Sequence, residues 1–247
     1  MRKHLHPHGI LFNILTRKPE FAYFTSPEPC HCNFECFVSL KNPEITCPAA
    51  FQVLTKSIHF MQSSLSHQNL SSSERLCLLQ KRWVPLFILG LAQENISFEV
   101  MDFPVGSILR NILLSGQQKP DDCPLTLAKV NKLKMFLDKV WSLQLSLKEY
   151  ACLKGAILFS QVLDSPGLKS SLVIAGLQEE FAHDLHMLIL SRQRSEEHWT
   201  IMDVLFTACT LQMEARSMVT ELFFRPIMGK MDIQELLNEI INNNVGL

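Results

Sequence analysis

The sequence predicts an all-α protein, and three observations carry that prediction. Leucine-rich segments repeat apolar residues at helical spacing over most of the chain. Glycine (9) and tyrosine (2) are scarce among 247 residues. One short stretch, Ile96-Ser-Phe98-Glu-Val100, alternates in the manner of a strand. A hydrophobic fraction of 47% is enough to build a sizeable core, and the length fits one large domain or one domain with a tail.

Residues 1–45 hold Pro7, Pro19, Pro27, Pro29 and Pro43 and read as a largely irregular tail with one short helix near residues 9–17. Residues 46–247 read as the folded domain. Phe51, Leu54, Ile58 and Met61 make one helix face. Ser71 followed by Glu74 is a capping signal, and Leu76, Leu79, Trp83, Phe87 and Leu91 continue from it. This segment is apolar all round, so it should be a central helix, with Pro85 near the start of a helical piece or at a kink. Ile96–Val100 should then form a short strand or hairpin edge. Ile108–Leu114 should be helical, ended by Gly116 and Pro120. A longer helix is predicted over roughly Pro124–Leu143, with Val130, Leu133, Phe136, Leu137, Val140 and Trp141 inward. Ser146 caps the next, with Glu149 three residues on. Pro166-Gly167 marks a loop before two long helices, near 169–191 and 197–224, closed by Arg225-Pro226 and Gly229. The last helix is Met231–Ile241. Asp232 can cap its first turn, with Glu235 completing a capping box, and Ile233, Leu236, Leu237, Ile240 and Ile241 form one apolar stripe.

Several function classes fall away. The net charge of −1 gives no global attraction to nucleic-acid phosphate. The longest apolar run, between Arg82 and Glu94, is shorter than the roughly 20 residues that span a bilayer. The basic start is followed by an apolar stretch broken by Asn13, a poor signal peptide, so the eight cysteines are expected as reduced thiols in an intracellular protein. The sequons at Asn69 and Asn95 are then expected to carry no glycan. Cys30, His31, Cys32, Cys36 and Cys47 include metal-ligating types, but the C-x-C and C-x3-C spacings match no common zinc module, so no metal is expected. His4, His6 and His8 read as solvated. No G-x-S-x-G, Walker A, G-x-G-x-x-G or H-E-x-x-H motif is present, and His183 and His186 around Asp184 read as a solvated helix face. No catalytic residue and no cofactor is therefore expected.

Three segments suit protein docking instead. In Leu11-Phe12-Asn13-Ile14-Leu15 the residues Leu11, Ile14 and Leu15 share one side of a helical turn, the shape that enters a hydrophobic groove on another protein. Leu109-Arg110-Asn111-Ile112-Leu113 repeats the spacing inside the folded region, where core packing is the competing reading. The last helix carries Glu239 in the middle of Leu236-Leu237-Asn238-Glu239-Ile240-Ile241. It can be a helix docked on the core, or a detachable helix whose carboxylate helps grip the backbone end of a partner helix.

Several segments together resemble the ligand-binding domain of nuclear receptors. Trp83–Gln93 looks like its central helix, Phe98–Val100 like its β-turn, Lys148–Phe159 like its eighth helix, and Leu222–Ile227 with Leu236–Ile241 like its end. Glu149–Gly155 and Glu221–Pro226 are similar to the atypical orphan subfamily that lacks a DNA-binding domain, and Leu86–Ala92 with the short tail to the shorter receptor of that subfamily. The tail lacks the C-x2-C pairs of the two-zinc DNA-binding module. The resemblance implies a three-layer helical sandwich with a small β-turn. It also implies a transcriptional corepressor in the nucleus and also the cytoplasm, without direct DNA binding or a membrane role. Leu11, Ile14, Leu15, Leu109, Ile112 and Leu113 would bind other nuclear receptors and exclude coactivators. Leu236, Leu237, Glu239, Ile240 and Ile241, the activation helix, would bind corepressor proteins. Gln62 stands where typical receptors carry the lysine of a charge clamp, and Glu74-Arg75 replaces an Asp-Gln signature. Glu239 keeps one half of the clamp while Gln62 leaves the other half unsupplied, which counts against conventional coactivator binding. Two readings stand beside this one, a sensor with a real lipophilic pocket and, ranked far lower, a helical enzyme; a homodimer is a further partner to expect.

Overall fold

The computed structural model describes residues 36–104, 125–160, 168–191, 203–204, 207, 212–229 and 231–243, all within the unit Glu35–Leu247. The short helix expected near 9–17, the helix Ile108–Leu114 and most of residues 197–211 of the helix expected over 197–224 lie outside these residues.

Strand β1 (Cys36–Leu40) comes from the stretch read as irregular. It pairs antiparallel with β2 (Val100–Pro104), Val38 opposite Asp102. Val38 and Leu40 are buried on either side of Ser39, the alternation of a half-buried strand. Three residues of it are too few to read without the partner some sixty residues away. β2 begins at Val100, where the predicted strand ends. The alternation over Ile96–Val100 has another cause. Asn95 turns the chain at φ 54°, the Ile96 N–H donates to the Leu91 carbonyl at 2.9 Å, and Phe98 is drawn into the core against Phe223, ring centroids 5.0 Å apart.

Helix α1 (Pro43–Ser66) starts a few residues earlier than predicted. Pro43 is in the first turn, where its missing N–H costs nothing, beside Glu44 at the positive end of the helix dipole. Its inner face is Cys47, Ala50, Val53, Leu54, Ile58, Met61 and Leu65. Helix α2 (Ser72–Gln93) opens with the expected capping box. The Glu74 N–H donates to Ser71 Oγ at 3.3 Å and the Ser71 N–H to Glu74 Oε2 at 2.7 Å. From Arg82 to Ala92 every residue is buried. Pro85 lies inside this helix without ending it. The lost backbone donor is outweighed because α2 is packed from every side.

Helix α3 (Leu127–Ser142) is capped by Thr126, which accepts from the Lys129 N–H. It buries Val130, Leu133, Phe136, Leu137 and Val140, and the half-buried Trp141 donates Nε1–H to the Ala92 carbonyl at 2.8 Å. Helix α4 (Leu147–Leu158) has the predicted Ser146–Glu149 capping box. Helix α5 (Leu168–Ser191) crosses it where Gly155 lies beneath the Phe181 ring. A Cβ at Gly155 would collide with that ring. Helix α6 (Gln212–Val219) runs into a π-helical turn, Thr220–Phe224, and one further α turn, α7 (Arg225–Met228). Arg225-Pro226 therefore continues the helical path, and Gly229 ends it at φ 61°. Helix α8 (Ile233–Asn243) follows.

The layers follow from this. α2 is the middle, with α1 on one side and α4 on another, α5 lies outside α4, and α3 and α6 close the remaining faces. At the centre Phe87 meets Phe223 at 5.6 Å and Phe224 at 5.2 Å, and Trp83 meets Phe224 edge-on at 6.2 Å. These contacts turn the all-α expectation into a helical sandwich with one small sheet.

Candidate functional site at the terminal helix

Asp232 Oδ1 accepts from the Gln234 N–H at 2.8 Å and so caps the first turn of α8. The stripe then splits by depth. Ile233, Leu237 and Ile240 are buried, Leu237 to 2% exposure. Leu236 and Ile241 are half-buried, and Glu239 is exposed. With α8 docked, Leu237 and Ile240 belong to the core, Leu236 and Ile241 pack partly against it, and only Glu239 of the five expected residues is exposed.

Two polar side chains hold the ends of the helix. Gln62, on α1, donates from Nε2 to the Ile241 carbonyl at 3.2 Å. That carbonyl is one of the last four in the helix, which lack intrahelical donors. At the other end Arg225 donates to Glu221 Oε1 from Nε (3.1 Å) and Nη2 (2.8 Å). Its Nη1 reaches the Gly229 carbonyl at 2.9 Å and the Met231 carbonyl at 3.4 Å. The hydrogen bonds it donates to Glu221 hold the Arg225 guanidinium above its usual pKa. The i, i+4 spacing of Glu221 and Arg225 is legible in the sequence. Its link to the chain entering α8 is not, because that depends on the turn at Gly229.

The remaining motifs divide between described and undescribed residues. Leu11, Ile14, Leu15, Leu109, Ile112 and Leu113 lie outside the described residues, as do Cys30, His31 and Cys32. Cys47 is a buried core thiol, raised in pKa by that burial and by Glu44. Among the described residues no group of three His, Cys, Asp or Glu is placed to hold a metal ion, and no helix is long and apolar enough to cross a membrane. One feature carries no sequence motif. The outer face of α1 has a shallow depression of about 460 Å³ lined by Thr55, Lys56, His59, Phe60 and Ser63. Lys154 of α4 lies over the Phe60 ring at 5.6 Å, its pKa lowered by burial, and Lys56 pairs with Glu94 at 2.7 Å.

Residues 37–217 match the family described as the ligand-binding domain of nuclear hormone receptor. The chain is 41% identical to human nuclear receptor subfamily 0 group B member 2, the small heterodimer partner, over 86% of its own length and 84% of that receptor's. Identity to the rat receptor of the same name is 38%, over 96% and 93%. Nuclear receptor subfamily 0 group B member 1 of Callithrix jacchus is 32% identical over 83% of this chain and 47% of its own. The fuller coverage of member 2 agrees with the resemblance to the shorter receptor of the subfamily. These relatives favour regulation of transcription in the nucleus over a lipid-sensing role, and the family's members are regulators rather than enzymes. The chain belongs to the nuclear hormone receptor ligand-binding domain family, on the subfamily 0 group B branch, and its function is transcriptional corepression.

Proposed function

We propose that the chain represses by competition for a groove. Leu11, Ile14 and Leu15, and likewise Leu109, Ile112 and Leu113, occupy the coactivator groove of other nuclear receptors, and the terminal helix binds corepressor proteins along Leu236, Glu239 and Ile241. Two weak motifs on one chain give effective binding through linkage. The protein acts in the nucleus and also in the cytoplasm, without contacting DNA directly.

The observation that supports this reading is the engaged Gln62 amide. It already serves the Ile241 carbonyl, and residues 57–66 of α1 contain no lysine or arginine. A helix arriving beside Glu239 would find a carboxylate at one end and no spare α1 cation at the other. This suits a repressor better than a receptor that collects coactivators.

The test is a titration of a peptide spanning Gly9–Pro19 against an agonist-loaded nuclear receptor ligand-binding domain. Saturable binding is expected, displaced by a coactivator peptide and lost when Leu11 and Leu15 are changed to Ala, at on the order of 1–3 kcal/mol per buried anchor. If the full chain still represses with both leucine pairs replaced and the fold intact, the mechanism is wrong.

A further inference from the structure

We infer that Arg225 and Gln62 are positioning residues that pin the terminal helix at its entry and its exit. The need for pins follows from the helix itself. α8 has 11 residues, a length at which an isolated helix is marginal in water. Only Ile233, Leu237 and Ile240 are buried along it. Such a stripe favours docking but leaves the ends to fray.

The entry is held by a charged fork. Glu221 fixes the guanidinium through two donors, which frees Nη1 to meet the carbonyls of Gly229 and Met231. Both carbonyls belong to the short connection between α7 and α8, where Gly229 takes a positive φ. The Glu221 and Arg225 side chains are 29% and 30% exposed, so the pair is less screened than one on open surface. The π turn places it there, since Glu221 lies within the turn and Arg225 directly after it. The exit is held by Gln62, which reaches a carbonyl the helix cannot satisfy itself. Together the two contacts orient Glu239 and the surface that includes it.

Hydrogen–deuterium exchange on the full chain tests this without any partner, so its outcome is separate from that of groove competition. Arg225→Ala and Gln62→Ala are each expected to speed exchange of the amides in 233–243 about tenfold, the effect of losing one net hydrogen bond. The double variant should exceed either. Amides of Arg82–Ala92 should keep their protection. Arg225→Lys should fall between, because an ammonium cannot hold Glu221 and both carbonyls in one fork. Unchanged exchange in α8 of the double variant overturns the inference, as does equal acceleration in α2, which would make both residues general supports of the fold. If Arg225→Ala does not fold, Gln62→Ala decides on the same readout.

Discussion

Helices α2 and α8 both carry apolar stripes, yet they are held in different ways. In α2 every side chain from Arg82 to Ala92 is buried, and helices pack on all its sides. In α8 only three of the described residues are buried, and polar contacts at the two ends complete the attachment. One helix is fixed by volume and the other by a narrow seam with pins. A helix fixed by volume cannot leave without loss of the fold. A helix fixed by a seam can be exchanged for another surface at the expense of a few contacts, which is what a regulatory helix needs.

The largest effect should come from α2. Phe87→Ala removes a ring packed on Trp83, Phe223 and Phe224, and about 3–5 kcal/mol of stability should go with it. A urea melt should show the whole domain shifting as one transition. Leu237→Ala is the same kind of truncation in α8, at about 2–4 kcal/mol of local docking energy. Here the main transition should stay near its wild-type midpoint while limited proteolysis cuts after residue 230. If both variants move the main transition equally, the two helices are not held differently after all.

Gly90→Ala sharpens the comparison from the other side. The added methyl would meet Val53 Cγ1 at 2.7 Å and Ser57 Oγ at 3.0 Å. The backbones of α1 and α2 approach closely there, and overpacking should cost about 1–3 kcal/mol in the same melt. A neutral result would mean that Val53 moves aside and that packing around α2 is looser than its burial implies.

The two helices also differ in what their sequences disclose. The all-round apolar pattern from Leu76 to Leu91 and the box at Ser71–Glu74 reveal α2 directly, because local signals and burial agree. Pro85, expected near the start of a helical piece or at a kink, lies inside α2 rather than at a start, with the surrounding packing offsetting its lost donor. α8 is equally legible as a helix, through Asp232 and the stripe. Its depth profile is not, since Leu236 and Leu237 are adjacent and identical and only the docking angle makes one half-buried and the other core. The pins are legible in part. Glu221 and Arg225 advertise a pair, and Gln62 stands out against a family lysine. That Gln62 meets a carbonyl 179 residues away, and that β1 finds β2 across α1 and α2, are products of tertiary closure with no local trace.

Glu239→Gln should have the smallest effect on stability and is the cleanest probe of the difference. Glu239 is exposed on α8, so the change should leave the melt within about 0.5 kcal/mol of wild type. No residue in the buried run of α2 would tolerate the loss of its side-chain character so quietly. Binding is where the change should appear. A carboxylate accepts from the free N–H groups at a partner helix's first turn, and the neutral amide accepts more weakly without the favourable dipole interaction. Corepressor capture by the full chain should fall several-fold, on the order of 1 kcal/mol, measured by titration at fixed salt. Unchanged capture would assign the docking face to Leu236 and Ile241 alone. Reduced stability would mean that Glu239 holds the fold, and α8 would then resemble α2 more closely than its exposure allows.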